Sequence, residues 1–299
     1  MGTAWRQDPI GKGGSLMRRM ANILGAVLFV FLVGVGVPGS AFGQDVPAKG
    51  QSPTVDKIKE AGKLRAGVAV ALPWLGQDPK TGGYFGASYD LGQRLAQVLG
   101  VKLEIVPSGW DVIVAGLQAK QFELALAPLF ATEKRKAVID FANYTEAGTC
   151  YMVLKTNAKV NKLEDLNKPD VVIGTFTGTG TEQEIHKKYP QGKINSVVQA
   201  PGGGTRVTEV LTNRIDVAPF DSPLAVALQQ RYPQIKIIPD ANVCIKQPDV
   251  PVPIGTGFNK GDPAWAKFVT DVADKMKPQL ADTIAKFSTL EFLASELGN

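Results

Sequence analysis

At 299 residues, 44% of them hydrophobic and 20% charged, the chain is long enough for one large or two medium domains. It is also apolar enough to bury a core, which excludes a disordered class. The net charge of +5 comes mainly from Arg6, Lys12, Arg18 and Arg19 at the N-terminus. No Lys/Arg tract interleaved with aromatics follows, so no nucleic-acid partner is expected.

Arg18 and Arg19 run into the apolar stretch ILGAVLFVFLVGVGV (23–37), then Pro38 and small residues to Gly43. That is the order of a secretory signal peptide, 1–43, with Ala41 and Gly43 as the recognition pair. As a helix the apolar stretch would rise about 22 Å, short of the ~30 Å hydrocarbon core; a retained membrane anchor is the competing reading. Met17 is as eligible a start as Met1. Residues 44–55, polar with Pro and Gly, read as a flexible linker.

Two cysteines, Cys150 and Cys244, suit an oxidising compartment, either as one disulfide or as two buried thiols. The single histidine, His186, sits in the polar run TEQEIHKKYP and reads as a solvated helix residue. With no second histidine and no close cysteine pair, neither a metal site nor a histidine-dependent triad is expected, and no cofactor is implied.

Order begins with a short helix around Val55 and Ile58, stopped by Gly62, and a strand in KLRAGVAVA. After the turn-rich GQDPKTGGYFG, Leu91, Leu95 and Leu99 give one helix its apolar face, closed by Gly100. VKLEIVPS is a strand, Asp111 is placed to cap a helix through VIVAGLQAK, and FELALAPL is a strand again. The rhythm restarts: strand VVIGTFTG, helix TEQEIHKKY, strand NSVVQA, helix TRVTEVLTN, strand IDVAPF, helix SPLAVALQQRY. Such alternation predicts an α/β fold with parallel sheet. LQAKQFELALAP and LTNRIDVAPF echo each other, which suggests two similar halves. In KQPDVPVPIGTGF, Pro248, Pro251 and Pro253 argue against a central strand and for a stiff crossing.

Ligands of open α/β sheets sit at the carboxyl ends of the strands. That rule selects Trp74, Trp110, Phe130, Thr132 and Arg135, the stretch Thr177, Thr179, Gly180 and Thr181, and Asp221. Taken singly, Arg135 is a surface residue of EKRK, Asp221 a helix cap, and the tryptophans core. Together they offer a cation, a carboxylate, helix-start amides and aromatic faces, the complement of a small zwitterion. They include no evident nucleophile and no paired carboxylates.

From GKLRAGV through SYDLGQRLAQVLGVKLEIVPSGWDVIVAGLQAKQFELAL, TEKRKAVIDFANYTEAG, GTFTGTGTEQ and LTNRIDVAPFDSPLAVAL, the chain resembles the family 3 extracellular solute-binding proteins. These are the amino-acid-binding components of ABC transporters. The resemblance implies two Rossmann-like α/β lobes joined by two hinge strands, the type II periplasmic binding protein fold. Lobe 1 would be 56–148 plus 250–299 and lobe 2 would be 149–249, with Cys150 and Cys244 near the crossings, close enough for a disulfide. It further implies a non-enzymatic, monomeric, periplasmic protein that delivers a small amino acid or related carboxylate to an ABC permease. Arg135 would take the ligand carboxylate, helped by Thr177–Thr181; Asp221 would take its ammonium, and Trp110 would pack on its apolar body. The alternatives are a dehydratase-like enzyme using Glu146 or Glu182, or a soluble sensor for a separate receptor. Where the family has small hydroxyl and glycine residues before its Thr-x-x-Arg, this chain has APLF (127–130). Ala71 stands where the family has an aromatic. A reshaped, more apolar pocket is therefore expected, with Trp74 and Phe130 filling it.

Overall fold

The computed structural model describes residues 46–199 and 205–296; the expected signal peptide, 1–43, lies outside them. Residues 46–55, the described part of the expected linker, are held against the body. Val46 packs on the first core, and the Ser52 hydroxyl donates to Asp262 at 2.7 Å. Ser52 also caps helix α1 (Pro53–Ala61), which Gly62 ends in the left-handed region at φ 64°.

The first half continues with β1 (Lys63–Val68) and a small hairpin, β2 (Gly76–Gln77) and β3 (Tyr84–Phe85), in the turn-rich stretch. Helix α2 (Ala87–Leu99) buries Leu91, Leu95 and Leu99 and stops at left-handed Gly100. Then come β4 (Lys102–Pro107), α3 (Ile113–Gln118) and β5 (Leu124–Phe130). Asp111 does not cap α3: Val112 occupies that position and no side chain bonds the helix start.

One turn, α4 (Glu133–Lys136), leads into β6 (Ile139–Leu154). The second half runs β7 (Val172–Phe176), α5 (Gly180–Lys188), β8 (Lys193–Val197), α6 (Thr205–Leu211), β9 (Val217–Asp221) and α7 (Ser222–Arg231). After β10 (Ile235–Ile238) and α8 (Ala241–Lys246), β11 (Asp249–Asn259) returns to the first half. There α9 (Pro263–Phe287) and α10 (Leu290–Glu296) close the described chain.

The strand order is β4-β1-β5-β11-β6-β9-β7-β8. At one end β4, β1 and β5 are parallel; at the other β8, β7 and β9 are parallel. In each set the strand earliest in sequence lies in the middle. Between them β6 and β11 run antiparallel to each other. The prolines of β11 therefore sit in an interior strand, against expectation. The reason is pairing: β11 meets β5 only from Ile254 onward, while Pro253 pairs with β6 alone. The missing N–H groups fall where one side has no ladder to complete.

Side-chain burial follows the same division. Two apolar clusters draw on residues up to Ala147 and from Val252 onward, and two draw only on residues from Cys150 to Cys244. The sequence echo is a repeated helix stop. Lys120 and Asn213 both take positive φ, 58° and 57°. In each case the next amide reaches back five residues, Gln121 to Gly116 and Arg214 to Glu209. The following acids repeat too: Glu123 accepts from the Arg65 amide at 3.0 Å and Asp216 from the Val172 amide at 2.9 Å. Each carboxylate pins its own strand to the parallel neighbour.

Where β6 and β11 cross, Cys150 and Cys244, both fully buried, form a disulfide with Cα atoms 6.0 Å apart. Nearby, the buried Asp249 carboxylate accepts from Tyr151 at 2.8 Å and Tyr189 at 2.7 Å, and pairs with Lys188. The next residue, Val250, is held at φ 47°, a region that β-branched side chains avoid.

Candidate functional site

The carboxyl ends of the parallel strands supply the site. Within EKRK only Arg135 is buried, 3% exposed, while Glu133, Lys134 and Lys136 face solvent. Thr132 makes this possible by capping α4 with its hydroxyl; that hydroxyl also donates to Gln183 Oε1 at 2.8 Å. The Arg135 guanidinium donates to the Phe130 carbonyl at 3.0 Å and the Gly178 carbonyl at 2.8 Å. Its Nε is buried without a partner. Burial lowers its pKa to about 10, and no carboxylate offsets that.

The loop from Thr177 to Gly180 lies against these groups. A Cβ on Gly178 would stand 2.6 Å from the Trp110 carbonyl oxygen, and one on Gly180 would stand 2.3 Å from Phe130 Cβ. The loop thus packs at backbone distance on the ends of β4 and β5, which requires glycine at both positions. Thr179 caps α5, accepting from the Glu182 amide. Part of the expected amide nest is already filled, because the Gly178 amide donates to Glu182 Oε2 at 2.8 Å. Thr177 uses its own amide on Val197, and Thr181 is half-buried in the first turn of α5. Helix-start amides, not the whole run, are what this loop offers an anion.

Asp221 ends β9 opposite Thr149 of β6. It occupies the N-cap position of α7, yet its side chain makes no capping bond. Burial pushes its carboxyl up to about 7, against the lowering pull of Arg206. Trp110 is half-buried beside the cluster containing Ile113 and Leu117. Trp74, 3% exposed with Nε1 unpartnered, packs in the same core cluster as Phe130.

The structure therefore gathers Trp110, Phe130, Thr132, Arg135 and the 177–181 loop into one contact set, and places Asp221 beside a residue the sequence reading did not select, Arg206. Its guanidinium carbon lies 4.0 Å from the Phe176 ring centre and 4.5 Å from that of Phe220. Arg206 lies nine residues beyond the end of β8, too far for a strand-end rule to mark it in the sequence.

Two parallel three-stranded sets, each with its first strand central and joined by a pair of long antiparallel strands, define the type II periplasmic binding protein fold. The chain belongs to the bacterial extracellular solute-binding proteins, family 3, whose model matches residues 64–288. It is 25% identical over 202 residues to the L-cystine-binding protein TcyJ of Escherichia coli (strain K12), covering 67% of this chain and 74% of that protein. It is 32% identical to the crystal structure of the ancestral amino acid-binding protein AncCDT-1, a precursor of cyclohexadienyl dehydratase. That match has a TM-score of 0.66 and covers 79% of this chain and 100% of the other. A third likeness, 26% identical with a TM-score of 0.66, is to an amino acid ABC transporter substrate-binding protein from Streptococcus pneumoniae bound to L-arginine. It covers 81% of this chain and 98% of that one.

Proposed function

We propose that this protein captures a small carboxylate-bearing solute, an amino acid or related zwitterion, between two lobes, 56–148 plus 250–299 and 149–249. It would hand that solute to an ABC permease outside the cytoplasmic membrane, after export by the 1–43 leader. The observation that carries the reading is Arg135: a buried guanidinium whose Nε has no partner and whose charge no carboxylate meets among the described residues. A desolvated cation in that state is costly unless an anion arrives to pair with it. Asp221, at the corresponding strand end of the other half and free of capping duty, is the matching group for an ammonium.

The dehydratase-like alternative has less support. Glu146 is exposed, and Glu182 is occupied by the Gly178 amide and the Ser196 hydroxyl. Glu182 is therefore not free to act as an acid or base.

A thermal-shift screen of the purified protein against amino acids, amines and organic acids tests the proposal. A ligand at 100 times its dissociation constant adds about 2.7 kcal/mol of stability. Arg135→Ala should abolish that shift for every carboxylate, and Asp221→Ala should abolish it for amino acids. A screen in which no carboxylate raises the melting temperature would remove the basis of the reading.

A further inference from the structure

Arg135 has a counterpart in the second half. Arg206 stands in the first turn of α6, and its contacts with Phe176 and Phe220 at the ends of β7 and β9 put it on the same carboxyl-end side as the 177–181 loop and Asp221. It is held between the ring of Phe176, the last residue of β7, and that of Phe220, next to Asp221 on β9. One Nη of Arg206 donates to the Pro219 carbonyl at 2.7 Å, as one Nη of Arg135 donates to the Phe130 carbonyl at 3.0 Å. Those carbonyls belong to β9 and β5, the equivalent strands of the two halves. In both arginines Nε is buried without a partner among the described residues, and in both burial lowers the pKa to about 10.

A structural arginine in this chain looks different. Arg65 meets Glu123 through Nε at 3.3 Å and again through Nη2, and its pKa is raised. Arg135 and Arg206 have no such salt bridge among the described residues. Asp221 and Glu209, the latter one turn further along α6, act on Arg206 only from beyond salt-bridge distance. Two aromatic faces fix the guanidinium in place without neutralising it, and its planar fork suits a carboxylate at two points.

We propose that the ligand carries a second anionic group and that Arg206 recognises it, so that the pocket selects an acidic amino acid. One carboxylate meets Arg135, the ammonium meets Asp221, and the side-chain carboxylate meets Arg206. The assignment rests on the ligand-capture reading above. An uncharged ligand side chain would leave a desolvated guanidinium without an anion in direct contact, which is the costly state.

Isothermal titration of the purified protein with glutamate, aspartate, glutamine, asparagine and arginine tests this. An acid should bind about a hundredfold tighter than its own amide, the scale expected for a buried charge pair. Arg206→Gln should bring that ratio close to one while keeping amide binding. If circular dichroism shows that Arg206→Gln does not fold, the acid-to-amide ratio of the wild type decides alone. An amide that binds as well as its acid, a preference for arginine, or an unchanged ratio in a folded variant overturns the inference and leaves ligand capture standing. If none of the five binds, this inference falls and ligand capture is decided by the thermal-shift screen; if Arg135→Met binds as the wild type does, both fall.

Discussion

Nη2 of Arg135 donates to the carbonyl oxygen of Gly178 across 2.8 Å, so a guanidinium rooted just past β5 touches the loop between β7 and α5. The bond joins the strand ends of the first half to those of the second. Arg135→Met keeps the volume of the stem and removes the fork. Ligand binding should weaken by about 3–5 kcal/mol, because the ligand carboxylate is then buried unpaired. The unliganded fold should survive, since exchanging a buried unpaired charge for an apolar side chain is often neutral. Titration calorimetry beside far-UV circular dichroism reads both, and undiminished affinity in a folded variant contradicts the role.

The carboxyl of Asp221 predicts a pH signature. Its pKa in the folded state, about 7, lies above the ordinary value of 3.8. The folded protein therefore binds this proton more readily than the unfolded chain does, and the contribution of Asp221 to stability falls as pH rises from about 4 to about 7. Above 7 it is constant. The stability difference between wild type and Asp221→Asn, from denaturant melts across this range, should show that slope. Amino-acid affinity should move the opposite way, improving by up to about tenfold per pH unit below 7 as the carboxylate ionises. A difference flat in pH would mean that the carboxyl is not buried as described.

These two residues also show what the sequence could reveal. The helix stops at Gly62 and Gly100 were readable because each is a local backbone event with its own residue signature, whereas those at Lys120 and Asn213 showed only as an echo between two stretches. The alternation of strands and helices was readable for the same reason. Strand β6 was not: it serves the cores of both halves in turn, so its side chains follow no single alternation of apolar and polar. The prolines of β11 misled because the number of strands a segment pairs with is a property of the sheet, not of the segment. Arg135 lies in a four-residue charge run too short for any period to mark its one buried position. Arg206 belongs to a helix start, and only the packing of Phe176 and Phe220 around it distinguishes it from a solvated residue.

Gly178 tests whether the loop contact matters to binding. It sits at φ +80°, and a Cβ there would lie 2.6 Å from Asp111 Cα as well as from the Trp110 carbonyl oxygen, backbone atoms that cannot swing aside. Gly50 has a similar φ, +87°, with nothing within 4 Å of a Cβ. Both Gly→Ala changes place alanine in the left-handed region, at about 1–2 kcal/mol. Only Gly178→Ala should also lower ligand affinity, by about tenfold or more, by pushing the 177–181 loop off Trp110. Equal affinities in the two variants would show that the loop need not approach Trp110 when ligand binds.

Asp249 is the last test, and it concerns the crossing rather than the pocket. Its carboxylate gathers the hydroxyls of Tyr151 and Tyr189, and the Lys188 ammonium, at the start of β11. It immediately precedes Val250, whose left-handed backbone accompanies a register shift between β11 and β6. A strained residue persists only when its neighbours hold it, and Asp249 is the anchored neighbour. Asp249→Ala removes the shared acceptor of two buried tyrosine hydroxyls, at about 1–3 kcal/mol for the hydroxyl left unmet. It also frees Val250 to return to extended backbone. Urea unfolding should show a loss of about 2–4 kcal/mol. In a double-mutant cycle with Tyr189→Phe the two changes should couple by about 1 kcal/mol or more, as contacting groups do. Additive losses would mean that the tyrosine and the aspartate act independently, and that the crossing is held by β6 and the disulfide instead.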